Sequence, residues 1–148
     1  MKRINGWIVV ILMTTGLLLT ACAQTVAEEE EIKAVRLEPI AGSEDLNRVI
    51  LTADAAKRLD LQTATVGEAD INGAQRKVIP YASVLYETNG DTFVYVNVES
   101  LVFVRHPIVI DSIKGDQVIL SEGPDSGSVV VTVGAVELFG SESEFEED

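Results

Sequence analysis

The sequence has a single cysteine, Cys22, and a single histidine, His106. One thiol excludes an internal disulfide framework, and one histidine beside one cysteine leaves no zinc-ligand set. Basic side chains are also scarce, since 11 of them against 24 acidic ones give a formal charge of −13. Nucleic-acid binding requires a basic surface, so we expect no nucleic-acid partner and no metal site.

Motifs that carry catalysis are missing as well. No serine stands in a Gly-x-Ser-x-Gly elbow, and one histidine on an apparent strand gives a catalytic triad little to work with. No Gly-x-Gly-x-x-Gly or Walker-type spacing offers a phosphate-binding loop. We therefore predict that the protein is not an enzyme and assign it no catalytic and no cofactor-binding residue.

The N-terminus carries a targeting signal. Lys2 and Arg3 precede an apolar run of 13 residues, 7–19, and the following Thr-Ala pair leads into Cys22. Because about 20 apolar residues are needed to span a bilayer, the run is too short for an ordinary transmembrane helix. The pattern resembles a bacterial lipoprotein signal with its lipobox, although a general secretory signal with an incidental cysteine is an alternative.

The lipoprotein resemblance implies that residues 1–21 are removed and that the Cys22 sulfur carries a diacylglycerol, with an N-acyl lipid allowed on the same residue. The mature chain would be extracytoplasmic and lipid-anchored to a bacterial membrane. It would keep 9 basic and 24 acidic side chains, a net charge of −15. Such a surface is not attracted to anionic headgroups, so the acyl chains would have to hold it there.

Acidic segments flank the central part of the mature chain. Residues 22–45, with four glutamates at 28–31, predict a flexible tether, because few apolar side chains and like charges disfavour a packed core. Residues 141–148 predict a disordered acidic tail, with docking of the tail through Phe145 as an alternative.

Residues 46–140 predict one mainly β domain, a small β-roll or barrel-like fold with one short helix and no long helical hairpin. Thr52 is a good cap for a helix at 53–59. Asn89-Gly90, between two β-rich runs, predicts a hairpin with a type I′ turn, and residues 67–75 predict a turn or short connection. Further strands are predicted from the apolar runs 101–110, 117–120 and 129–133.

The run 92–98 is apolar on both faces. Phe93 and Tyr95 alternate with Val94 and its neighbours, so the strand lies inside a closed core or presents one face to a partner. His106, next to Pro107, is either a pH-sensing group or an ordinary edge residue.

Several segments resemble the periplasmic adaptors, or membrane fusion proteins, of resistance-nodulation-division (RND) efflux pumps. Residues 49–66 read VILTADAAKRLDLQTATV and look like a segment near the start of those adaptors. Similar to their C-terminal part are IPYASVLY at 79–86, FVRHPIVI at 103–110, GDQVILSEGP at 115–124 and GSVVVTVGAVEL at 127–138. In the family, that part forms the membrane-proximal domain, which rests on the permease.

The chain also departs from the adaptors. Only residues 67–77 stand where a full adaptor carries a lipoyl-like domain, a helical hairpin and a β-barrel. The resemblance implies a noncatalytic, truncated adaptor or accessory subunit of an RND-type permease, with oligomerisation allowed because the family forms rings. The alternative is a free-standing envelope lipoprotein that binds a small ligand or has a structural role.

Overall fold

The computed structural model describes residues 34–43 and 46–146, and the side chains of residues 144–146 are not among its described parts. The larger sheet contains β1 (Val35–Pro39), β2 (Asn47–Leu51), β3 (Gln62–Thr65), β6 (Leu85–Tyr86), β7 (Thr92–Glu99), β8 (Val102–Pro107) and β11 (Val129–Val133). Its strand order is β1-β2-β8-β7-β11-β3, and β6 pairs with β7. The smaller sheet contains β4 (Gly67–Ile71), β5 (Ala74–Pro80), β9 (Val109–Lys114) and β10 (Gln117–Glu122) in the order β4-β5-β10-β9.

Two helices accompany the sheets, α1 (Ala53–Arg58) and α2 (Ala135–Glu146), together with a 3-10 turn at Tyr81–Ser83. The predicted cap of α1 is confirmed, since the Thr52 hydroxyl accepts a hydrogen bond from the Ala55 backbone N–H at 3.2 Å. The predicted class is confirmed too: the described residues are mainly β and contain no long helical hairpin.

The larger sheet has an apolar core on each face, and β7 contributes to both. Phe93 and Tyr95 belong to the core that includes Leu138 of α2. Val94 belongs to the second core, with residues of the smaller sheet such as Val118. The prediction that this strand is apolar on both faces is confirmed, and both faces are covered within the chain. The larger sheet is therefore the middle layer, between the helices and the smaller sheet.

The predicted boundary of the acidic tether at residue 45 is wrong. β1 pairs with β2 from Val35↔Leu51 to Pro39↔Asn47, so the folded region includes residues 35–39. Val35 and Leu37 pack against the helix-covered core, while the charged Arg36 and Glu38 between them form an exposed ion pair at 2.9 Å. The strand was missed because its short alternation of apolar and charged residues lies in an acidic stretch.

The predicted disordered tail is also wrong for residues 141–146, which continue α2. Leu138 and Glu142 are fully buried one helical turn apart, and Ala135 is nearly so. The composition of the tail is typical of a solvated segment. Glu142 nevertheless pairs with Arg105 inside the protein, and Ala135 and Leu138 form the apolar face of the same helix.

Residues 67–75 form more than a connection. β4 and β5 pair from Gly67↔Val78 to Ile71↔Ala74, and the turn between them places Asn72 at φ +57° and Gly73 at φ +82°. Both central residues thus have the positive φ that a type I′ turn requires. The strand was not predicted because Gly, Glu, Ala and Asp in β4 all have low β propensity.

The predicted hairpin at Asn89-Gly90 exists, but its turn differs from the prediction. β6 and β7 pair at Leu85↔Phe93, whereas only Gly90 has a positive φ, at +94°. The Gly90 N–H donates to the Glu87 carbonyl at 3.0 Å, so the tight turn begins at Glu87. Asn89 is therefore the third residue of this turn and does not have a positive φ. The Asn89 side chain instead accepts from the Asp91 N–H at 2.8 Å.

Gly134 joins β11 to α2 with a φ of +82°. A Cβ there would overlap the Leu61 side chain and lie 3.2 Å from the Leu59 carbonyl oxygen. We expect Gly134→Ala to lower the free energy of unfolding by at least the cost of left-handed backbone, about 1–2 kcal/mol, and the midpoint of thermal unfolding measures it.

Gly140→Ala is the matched control, because Gly140 lies inside α2 with open space at its Cβ position. Removing a helix-interior glycine should raise stability by up to about 1 kcal/mol. Equal melting temperatures for the two alanine variants would contradict the placement of Gly134.

Candidate functional site

Most predicted functional residues fall outside the described part of the chain. The predicted signal at 1–21, the predicted lipid attachment site Cys22 and the glutamates at 28–31 precede residue 34, where the description begins. Phe145 lies on α2, but its side chain is not described.

His106 lies on β8 and is paired with Val94 of β7. Its Nδ1 is 2.8 Å from the backbone carbonyl oxygen of Pro107, and no side chain hydrogen-bonds to the ring within the described residues. Pro107 is the last residue of β8, past Val104, where pairing with β2 stops. Among the described strands, the proline therefore has a partner strand on one side only. Its lack of an N–H is tolerated there, because no strand on the other side requires a donor.

A groove of about 450 Å³ opens where β7, β8 and β9 meet the turn after β6. We call it the Phe93 groove. Its apolar wall consists of Leu46, Phe93, Pro107, Ile108 and Val109. Its polar side chains are Glu87, Asp91, Thr92 and Arg105. The volume lies within the range of small-molecule sites, about 300–1,000 Å³.

The floor of the groove is fixed by three hydrogen bonds between neighbouring segments. The Thr92 hydroxyl donates to the Ile108 carbonyl at 2.8 Å, and the Ile108 N–H donates to the Thr92 carbonyl at 2.9 Å. The Glu87 N–H donates to the Asp91 carbonyl at 2.9 Å. These hydrogen bonds hold the backbone segments that line the groove in place, so the groove is formed before any ligand binds.

Arg105, at one end of the groove, has most of its guanidinium occupied. Nε donates to Glu142 at 2.7 Å, and Nη1 donates to Glu87 at 3.2 Å. The guanidinium carbon lies 5.3 Å from the centre of the Phe93 ring and 4.9 Å from that of Phe139, within the range of cation–π contacts. With its side chain 12% exposed, Arg105 acts mainly as an internal counter-ion that joins α2 to the sheet.

Glu142 is fully buried, and its Oε2 accepts from Arg105 and from the Tyr95 hydroxyl. Its Oε1 has no hydrogen-bond partner among the described residues. Burial and the hydrogen bond to Glu142 raise the pKa of Tyr95 well above its usual value. Burial lowers the pKa of Arg105, but the Glu142 hydrogen bond and the neighbouring charges outweigh it, so the net direction is upward. Tyr95 is therefore a neutral donor and Arg105 a fixed cation.

Sequence reasoning found only part of this cluster. It placed Tyr95 and Phe93 on one face of a strand but left Arg105 without a role and Glu142 in a disordered tail. Tyr95 and Arg105 are direct cross-strand partners, so the register of β7 against β8 was the missing information. A usable signal for Glu142 was its spacing of four from Leu138, on the same helical face.

Other kinds of site receive no support from the described residues. Within 34–43 and 46–146, no three His, Cys, Asp or Glu side chains come together as metal ligands. None of the helices in that part of the chain is both long and apolar enough to cross a membrane. The Phe93 groove and the ion pairs of Arg105 combine an apolar wall with charged side chains, as a binding site requires.

We expect Arg105→Met to destabilise the fold by about 3–5 kcal/mol, because it leaves the Glu142 carboxylate buried without its cation. Denaturant unfolding measures the change. Arg36→Met, which removes an exposed ion pair, should cost less than about 1 kcal/mol. The double variant Arg105→Met/Glu142→Leu should recover part of the loss, and a double variant less stable than Arg105→Met would contradict the pairing.

The raised pKa of Tyr95 predicts weakening of the fold at high pH. An unfolded tyrosine loses its proton near pH 10, whereas the buried Tyr95 keeps its proton at that pH. The contribution of Tyr95 to the free energy of unfolding should therefore be full below about pH 10 and fall above it. One such group contributes a slope of at most about 1.4 kcal/mol per pH unit. Tyr95→Phe should flatten the slope measured between pH 9 and 11, and an unchanged slope would show that Tyr95 titrates normally.

Comparison with known proteins identifies no relative. None of the protein-family models matches the chain, and none of the curated proteins or solved structures compared with it is similar enough to count as a match.

Proposed function

We propose that this protein is a lipid-anchored, noncatalytic accessory or adaptor subunit of an RND-type export permease, held to a bacterial membrane through Cys22. One observation supports the proposal most. The two parts of the chain that resemble opposite ends of an adaptor are joined in one sheet, where β2 pairs with β8 and β3 pairs with β11. A chain that keeps both ends and lacks what lies between them in the family can thus still form a complete module.

The proposed mechanism is positional. A lipid on Cys22 confines the domain to the membrane surface and raises its effective concentration near an integral partner. A modest contact is then sufficient for docking, because the anchor has already reduced the entropic cost of association between the two proteins.

The docking surface we propose is the edge strand β9. Among the described strands it pairs with β10 alone, and an unpaired strand edge can accept a strand from a partner. Val109 and Ile113 on this strand are each 49% exposed, although both are large apolar side chains. Such residues are suited to the apolar centre of a transient interface.

The test is a crosslinked pull-down of the lipidated protein from its native membranes, with the co-purified proteins identified by mass spectrometry. We expect a large polytopic permease, and replacing Ile113 by Lys should reduce its yield. Val136→Lys, at a residue 66% exposed on α2, is the matched control and should leave the yield unchanged.

Cys22→Ser provides the control for the anchor. Without the acyl chains most of the protein should move from the membrane fraction to the soluble fraction, because the modest contact with the permease then lacks the effective concentration that the anchor provides. Tight membrane association of Cys22→Ser would defeat the anchor, and recovery of the wild-type protein alone would defeat the permease partnership.

A second candidate function, a free-standing ligand-binding envelope lipoprotein, is favoured by the Phe93 groove. Its volume and its mixture of apolar wall and convergent polar groups are those of a small-molecule site. A solute retained by the purified protein in the absence of any permease would favour this function over the first.

A further inference from the structure

The Phe93 groove carries an excess of negative charge. Arg105 is the one cation among its described lining residues, and it is already paired with Glu87 and Glu142. Asp91 adds a third carboxylate at the exposed side of the groove. Three carboxylates against one guanidinium leave a local surplus of two negative charges.

The two groove carboxylates keep acceptor capacity for a ligand. Glu87 uses Oε1 to accept from Arg105, and its side chain is 34% exposed. Asp91 uses Oδ2 to accept from the Asn89 side chain at 2.9 Å. Each carboxylate has a second oxygen for which the described residues provide no hydrogen bond, so each can accept from an incoming N–H group.

The rest of the groove favours an apolar body. Pro107 and Val109 are the exposed side chains of its apolar wall, whereas Phe93 and Ile108 are almost fully buried in the cores on opposite faces of the larger sheet. An anionic ligand would be repelled by Glu87 and Asp91. It would gain little attraction from Arg105, because Glu87 and Glu142 already neutralise the charge of that guanidinium. A neutral ligand would gain the apolar contact alone.

From this charge distribution we infer that the Phe93 groove binds a small organic monocation, an ammonium group attached to an apolar body. The ammonium group lies between Glu87 and Asp91, and the apolar body packs on the exposed side chains of Pro107 and Val109. The inference needs no permease partner, so it stands or falls separately from the proposed accessory function.

The experiment compares three probes that share a phenylethyl body: 2-phenylethylammonium, 3-phenylpropionate and 2-phenylethanol. The full lipidated chain is held in nanodiscs of zwitterionic phospholipid, and binding is measured from the saturation-transfer NMR signals of each probe. We expect 2-phenylethylammonium to bind at least tenfold more tightly than 3-phenylpropionate and several-fold more tightly than the alcohol.

Asp91→Asn and Glu87→Gln test the assignment of the site, because each removes one charge and little volume. Each should weaken 2-phenylethylammonium binding several-fold and leave the alcohol unchanged. Asp70→Asn, on the exposed edge strand β4 away from the groove, is the matched control. Should Glu87→Gln unfold the chain by freeing Arg105, the exposed Asp91 still provides the test.

Three results would overturn the inference. Equal binding of the three probes would show an apolar patch without charge selection. Preference for 3-phenylpropionate would show that Arg105 governs the groove. Equal signals from empty nanodiscs, or from wild type and Asp91→Asn, would show that the cation binds elsewhere.

Discussion

β7 is buried on both of its faces, and both outer layers of the structure follow from that. Phe93 and Tyr95 on one face need a cover, which α1 and α2 supply, while Val94 on the other needs a second cover, which the smaller sheet supplies. An exposed sheet face would leave one of these apolar rows in water, at about 25 cal/mol for each Å² of apolar surface. The groove lies beside Ile108, where the chain passes from β8 in the larger sheet to β9 in the smaller sheet, so its position follows from the layering.

Arg105 connects stability with the candidate site. The same guanidinium that neutralises Glu142 inside the protein also holds Glu87 at the groove, so the helix, the sheet and the turn after β6 share one cation. A cation committed twice cannot serve as an anion receptor, and this decides the sign of the ligand we infer. The proposed accessory role and the inferred ligand site use different surfaces, the edge of β9 and the Phe93 groove, although Val109 belongs to both.

Local signals in the sequence were sufficient for the elements that depend on few neighbours. The strand at 129–133, the Thr52 cap and the two-faced strand at 92–98 all follow from residue type and alternation. β1 and β4 could not be predicted in this way, since their residues become strands through pairing with β2 and β5. The groove draws on the separate segments 46, 87–93 and 105–109, and the role of Glu142 depends on Tyr95 and Arg105, 47 and 37 residues away. Such sites require the register of the sheet, which a single sequence does not provide.

The pairing of β1 with β2 shortens the distance that the domain could move from the proposed anchor at Cys22. With a lipid on Cys22 and a sheet that begins at Val35, only the 12 residues 23–34 lie between them, instead of the 23 residues 23–45 of the predicted tether. Fully extended, they reach at most about 40 Å. For a flexible linker, effective concentration falls roughly as the −3/2 power of length, so halving the linker raises it about threefold for any target within reach. If the chain is anchored as we propose, this five-residue strand restricts it to partners close to the lipid surface and strengthens its encounters with them.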